Sequence, residues 1–398
     1  MKGVEFNLVD KIRVDNTEVK LHWTTEARKL KYLKYPWNYK SQLPIRAIAA
    51  FGFGNSGLVT FTAQKQVSWP KPISSSPYLS PSTFSTDYSR MLKTLKIFVY
   101  PSSGNTSPPL PSPLSTFHAR LLSSPFLTPH PHGAHLFYVP LPSDSSPRSI
   151  ARSIRDLRFD SPFWNQTLGA DHFYLSCAGI GIESDRNLVE LKKNSIQVSC
   201  FPAAEGRFIP HKDISLPPVT DASQPSVESK EREFLGLFYG EENRGISTML
   251  DELRGDPKFL IESRPLDPGN FTEILGKTRF CLLFYGSDKH LDLGQALRSG
   301  CVPVVISDRP ILDLPFSDVL RWAEMAVLVG MRGGGKEVKR VLERTSGERY
   351  ERLQEAGKLA SVHFSWESKP GGYDAFHTAM YQLWKRRHAV RYARRESI

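Results

Sequence analysis

From residue 95 onward the chain is punctuated by short apolar runs, each closed by a proline, a glycine or a polar cluster. Residues 95–100 (LKIFVY), 135–139 (HLFYV), 172–176 (HFYLS) and 196–201 (IQVSCF) have the length and the aromatic and β-branched content of buried strands. Helices are expected between them, over 148–157 and 185–193. The C-terminal half alternates more cleanly. It predicts strands at 233–239, 258–262, 279–284 and 302–307, with helices at 246–254, 271–277 and 293–299. Near-continuous apolar strands separated by helices imply parallel sheets covered on both faces. With right-handed crossovers this is an α/β fold of two Rossmann-like domains facing a central cleft. Ligands of such open sheets sit at the carboxyl ends of the strands.

The remaining segments divide the chain. Residues 1–94 form an atypical N-terminal segment, expected to be partly disordered, with a Ser/Pro-rich run at 69–89 that reads as a linker. Residues 95–220 form the first Rossmann-like, acceptor domain and residues 221–384 the second, nucleotide-sugar-binding domain. A Pro/Ser stretch at 217–229 joins them, and a basic tail covers 385–398. The most apolar N-terminal stretch, 47–63, is broken by Gly52, Gly54, Asn55 and Gly57, so it falls short of a membrane-spanning helix.

Composition narrows the function. Over 398 residues, 40% are hydrophobic and 23% charged, with a net charge of +11. The charge is spread out apart from the tail (Lys385, Arg386, Arg387, Arg391, Arg394, Arg395), which reads as a solvated helix end. No nucleic-acid motif accompanies it, so nucleic acid is not an expected partner. The four cysteines form no CxxC pair, which argues against zinc and leaves one or two disulfides or buried thiols open. Sequons at Asn105, Asn165 and Asn270 permit glycosylation in a secretory lumen.

Five segments in order carry a resemblance to the exostosin family, glycosyltransferase family 47, in its plant form: LKIFVYP (95–101), FHARLLSSPFLTPHPHGAHLFYVPL (117–141), FWNQTLGADHFYLSCAG (163–179), FIPHKDISLPP (208–218), and SGCVPVVISD with LPFSDVLRW (within 299–322). The resemblance implies a GT-B fold and an inverting transfer from a UDP-sugar to a cell-wall polysaccharide or glycoprotein glycan. It also implies a type II Golgi membrane protein, although no anchor is visible in this sequence.

An inverting transfer needs a base for the acceptor hydroxyl, stabilisation of the departing diphosphate, and alignment of the reactants. No D-x-D motif occurs, so no metal cofactor is expected and backbone N–H groups with basic side chains would meet the diphosphate. Candidate donor contacts leave strand ends: Arg244, Tyr285, Gly286, Lys289, Ser307 and Asp308. Gln295 stands where the family pattern has a ribose-binding glutamate, and Asp292 where it has an arginine. That departure raises an alternative, a catalytically inactive homologue acting as subunit of a partner glycosyltransferase. Candidate bases are Asp171, His172, Glu183, Asp185, His211 and Asp213. Against these stand plain structural roles: a core histidine for His172, a cap for Asp171, a solvated turn for Arg244.

Overall fold

The computed structural model describes residues 11–14, 17–20, 76–101, 110–142, 146–181, 184–219, 231–264, 266–285, 293–311, 313–366 and 372–395, with side chains from 76 to 387. The chain divides into two compact units, Met1–Pro72 and Ile73–Ile398. In the first, β1 (Lys11–Val14) and β2 (Thr17–Lys20) pair as an antiparallel hairpin.

The second unit holds two α/β lobes. The first runs α1 (Pro81–Thr94), β3 (Ile97–Val99), α2 (Leu114–Leu122), β4 (Leu136–Tyr138), α3 (Pro147–Asp160), α4 (Pro162–Thr167), β5 (His172–Leu175), α5 (Arg186–Asn194), β6 (Ile196–Cys200) and β7 (Ile214–Leu216). Its five strands are parallel, in the order β3-β4-β5-β6-β7. Local chemistry sets the boundaries. Pro147 opens α3 while the Ser146 hydroxyl accepts from the Ser149 N–H, and Asp185 caps α5 through the N–H of Asn187 and Leu188.

The second lobe runs β8 (Phe234–Tyr239), α6 (Ser247–Arg254), β9 (Phe259–Glu262), α7 (Pro268–Lys277), β10 (Thr278–Phe284), α8 (Leu293–Arg298), β11 (Val302–Ile306), β12 (Val327–Val329), α9 (Gly334–Arg344), α10 (Glu348–Ala360) and α11 (Ala375–Arg395). Its sheet is also parallel, in the order β12-β11-β10-β8-β9. The chain therefore reverses its direction of travel across the sheet between β8 and β10. β11 (VPVVI) is buried along its whole length, as helices on both faces require.

Two expectations are corrected. The run read as a linker ends in α1, whose Phe84, Tyr88, Met91 and Leu95 recur at helical spacing and are all buried. Phe84 packs edge-on against Tyr381 of α11 (5.0 Å) and Tyr88 lies against Tyr373 (4.5 Å), so this helix belongs to the core. The basic tail is likewise not simply a solvated end, because its described part, residues 385–395, lies within α11 and Arg386 is buried. Arg386 Nε donates to Lys212 O (2.7 Å), one terminal nitrogen to Asp213 O (3.0 Å), and the other to Asp318 Oδ2 and Gln382 O (both 3.0 Å). The last helix thus returns from the second lobe to the first. One apolar core, including Phe201 and Leu216 of the first lobe and Phe316, Phe376 and Trp384 of the second, runs through both. All four cysteines are paired, Cys177 with Cys200 and Cys281 with Cys301. The interdomain linker at 217–229 falls largely outside the described residues, which include only 217–219 of it.

Candidate functional site

The carboxyl ends of the two sheets face one cavity of about 1180 Å³. From the first lobe come Cys177, after β5, and Phe201–Gly206 with Phe208, after β6. From the second come Asn243, Gly245 and Ile246 after β8, Phe284 and Tyr285 at the end of β10, Ser307–Pro310 and Asp313 after β11, and Met331 after β12. β8 and β10 flank the reversal of strand order, the place where open α/β sheets hold ligands.

Among the described residues, the head of α6 borders this space. Ile246 and Gly245 at the head of α6 line the cavity, and α6 carries no side-chain cap. The glycine-rich start of α9 (MRGGGK) is occupied differently: Glu252 Oε2 accepts from the N–H of Gly335 (2.8 Å) and Lys336 (3.4 Å). A carboxylate thus occupies the head of α9, whereas at the head of α6 a neutral residue, Asn243, accepts from the N–H of Gly245 through its side chain (2.9 Å) and from those of Ile246 and Ser247 through its carbonyl (3.1 and 3.0 Å).

Asp313 ties the lobes together. Its Oδ2 accepts from the Ala203 N–H (2.5 Å) and its Oδ1 from the Tyr285 hydroxyl (2.5 Å). Burial lifts the Asp313 carboxyl above the usual carboxylate range, while those two donors work the other way. Burial, and then the bond to Asp313, push the Tyr285 phenol up. A second bridge joins exposed side chains, Arg309 of the second lobe and Glu205 of the first (2.5 Å).

Among the expected donor contacts, Tyr285, Ser307 and Asp308 line the cavity. Asp308 Oδ1 also accepts from the Met331 N–H (2.7 Å). Arg244 is exposed in the loop before α6; its neighbours Asn243 and Gly245 border the cavity and it does not. Gln295 is buried on α8, its Nε2 donating to the Thr272 hydroxyl (2.6 Å), and lies off the cavity wall. Gly286, Lys289 and Asp292 lie outside the described residues.

The expected bases lie elsewhere. His172 is fully buried. Its Nδ1 donates to Asp171 Oδ1 (2.8 Å), so its Nε2 accepts from the Tyr100 hydroxyl (3.0 Å). Asp171 Oδ1 also accepts from the Thr167 hydroxyl (2.6 Å). Burial pushes the His172 pKa down against the pull of Asp171, as for a neutral core histidine. Asp185 is the α5 cap, and His211 is exposed and not on the cavity wall. Asp213 is buried and accepts from the N–H of Gln197 (3.0 Å) and Ile209 (2.8 Å) and from Lys212 Nζ. Glu183 lies outside the described residues. None of the described candidate bases lines the cavity, because the carboxylates of these motifs are turned onto nearby N–H and O–H groups and hold their own loops in shape.

Glu205, Arg309 and Asp313 were not singled out from sequence. The strand-end rule that picked out Ser307 and Asp308 applies equally to the segment after β6, where Glu205 lies, and to the next residues after β11. Among the described residues no group of three or more His, Cys, Asp or Glu is placed to hold a metal, and no helix is long and apolar enough to cross a membrane.

Related proteins share this sequence at moderate identity. A probable glycosyltransferase of Arabidopsis thaliana is 28% identical over 351 residues, covering 78% of this chain and 72% of the relative. A probable beta-1,4-xylosyltransferase of the same plant is 28% identical over 250 residues (53% and 60% of the two chains), as is a probable glucuronosyltransferase of Oryza sativa subsp. japonica (53% and 59%). Solved structures are more distant. A glycosyltransferase involved in avilamycin A biosynthesis aligns over 74% of this chain and 98% of its own, with TM-score 0.35 and 11% identity. The two parallel α/β lobes of this chain, meeting at a cleft, themselves form the GT-B arrangement. The model of the Exostosin GT47 domain matches residues 91–344, well over half of the chain, and with that match the chain belongs to the exostosin GT47 family of glycosyltransferases.

Proposed function

We propose that this protein is an inverting glycosyltransferase that takes a sugar from a UDP-sugar and adds it to a glycan. The observation that carries this reading is the convergence of both sheets' carboxyl ends on one cavity, with the head of α6 opening onto it. The nucleotide would lie against the second lobe, its diphosphate at the α6 end and near Arg309. Backbone N–H groups and a guanidinium there would stabilise the charge that grows as the sugar–phosphate bond breaks, with no metal required. The acceptor would enter along the first-lobe wall, where Phe201 and Phe208 offer apolar faces to a sugar ring.

A cell-wall polysaccharide or glycoprotein glycan is the acceptor class proposed. Residence in the Golgi lumen is proposed with it. Two disulfides suit an oxidising compartment, and the sequon residues Asn165 and Asn270 are exposed. The inactive-subunit reading rested on Gln295 and Asp292. Gln295 lies off the cavity wall, so its difference from glutamate does not by itself disable the site.

Titration with UDP in a calorimeter tests the donor site, and UDP release from UDP-galactose, UDP-arabinose, UDP-xylose and UDP-glucuronic acid tests turnover. Binding with turnover of one donor is expected. No heat at millimolar UDP refutes the transferase reading, and binding without turnover of any donor favours a supporting subunit.

A further inference from the structure

We propose that Glu205 is the catalytic base of the transfer and that Arg309 holds it in reserve until donor binds; this deepens the transferase reading and rests on it. Three carboxylates border the cavity among the described residues: Glu205, Asp308 and Asp313. Asp308 belongs to the donor lobe and accepts from the Met331 N–H. Asp313 is 1% exposed, and each of its oxygens already accepts a hydrogen bond. Glu205 differs on every count. It stands on the acceptor lobe, its side chain is 79% exposed, and it pairs with the similarly exposed head of Arg309.

The backbone beneath Glu205 is fixed. Residues 204–207 form a turn closed by the Arg207 N–H on Ala204 O (3.0 Å), with Gly206 in the left-handed region at φ +69°, a conformation glycine adopts without strain. The preceding Ala203 is held by Asp313 of the opposite lobe. A movable carboxylate on an anchored turn, facing the donor lobe across the cleft, has the placement a base requires.

The Arg309 contact supplies the timing. A solvent-exposed ion pair is weak, and a diphosphate outbids a single carboxylate for a guanidinium because it matches the planar fork with more charge. Donor binding draws Arg309 onto the phosphates and frees Glu205. The acceptor O–H then gives its proton to a Glu205 oxygen as its own oxygen bonds to the anomeric carbon. The bond from that carbon to the phosphate oxygen breaks, and UDP leaves with the electron pair.

The test uses the full chain, UDP as binding probe, and UDP release from the best UDP-sugar, with water or glycan as acceptor. E205Q is expected to bind UDP like the wild type yet release it about 10²–10⁴-fold more slowly, and formate is expected to restore part of the turnover of E205A. R309A is expected to weaken UDP binding at least about tenfold. Turnover of E205Q within about threefold of wild type, or an E205A enzyme that formate does not rescue, overturns the base assignment. Unchanged UDP affinity in R309A overturns the gate. A wild-type protein that binds no UDP fails at the earlier step and refutes the transferase reading itself, so the two failures are distinguishable.

Discussion

Loss of the polar side chain of Arg386 should cost this fold about as much as loss of a buried core side chain. Its guanidinium is nearly buried and makes four hydrogen bonds, to the carbonyls of Lys212, Asp213 and Gln382 and to the Asp318 carboxylate. Burial pushes the Asp318 carboxyl up, but Arg386 and then Lys385 more than offset this and hold it below the usual range. Arg386→Ala strands two carbonyls of the first lobe and removes the nearer of the two charge partners of Asp318. Asp318 is 29% exposed, so water recovers part of its loss. Two stranded carbonyls at about 1 kcal/mol each and a partly solvated ion pair at about 1–2 kcal/mol give a destabilisation of about 3–4 kcal/mol. That is a large share of an ordinary stability of about 5–15 kcal/mol. Lys385→Ala is the internal control, because Lys385 reaches the same Asp318 from an exposed position and should cost about 1 kcal/mol or less. Urea unfolding followed by circular dichroism, with the Arg386→Ala/Asp318→Ala double mutant to complete the cycle, measures both. Equal losses for Arg386→Ala and Lys385→Ala would refute the claim that the buried guanidinium staples the lobes.

Asp313→Asn keeps the volume but leaves one of its two donors, the Ala203 N–H or the Tyr285 hydroxyl, without an acceptor. It should cost about 1–2 kcal/mol and speed hydrogen exchange across residues 203–207; unchanged exchange there would show that Asp313 is not the tether. His363 is fully buried between the Tyr78 hydroxyl (3.0 Å) and the Thr378 hydroxyl (2.8 Å), and burial lowers its pKa from 6.5 to about 4. The unfolded chain takes up its proton first as pH falls, so stability should decline from about pH 6.5 down to about pH 4, by roughly 3 kcal/mol from this group, and level off below. His363→Gln should flatten that slope in urea midpoints measured from pH 7 to 4.5, and an unaltered slope would place the titration elsewhere.

The architecture was legible wherever pattern and packing agree. Strands such as residues 280–284 and 302–306 are apolar on both faces because helices cover both, and that doubly buried pattern survives in the sequence. The first helix was hidden by composition. Ser and Pro dominate residues 69–89, while the stripe Phe84, Tyr88, Met91, Leu95 within and beyond it follows the helical period and was the better guide. The site was legible at the level of loops and not of side chains. Ser307 and Asp308 follow from the position of a strand end. Whether a carboxylate such as Asp213 looks into the cleft or ties its own loop depends on the N–H groups that surround it, which spacing along the chain does not encode.

The stretch by which the family is recognised, residues 91–344, is shorter than what folds. Most of α1 precedes it and all of α10 and α11 follow it, yet these helices supply Phe84, Tyr88 and Trp384 to the common core and Arg386 to the first lobe. A fragment trimmed to the recognised stretch would bare the aromatic surface those helices cover and would be prone to self-association. Any minimal version of this transferase has to begin before Tyr78, whose hydroxyl meets His363, and to run past Arg387.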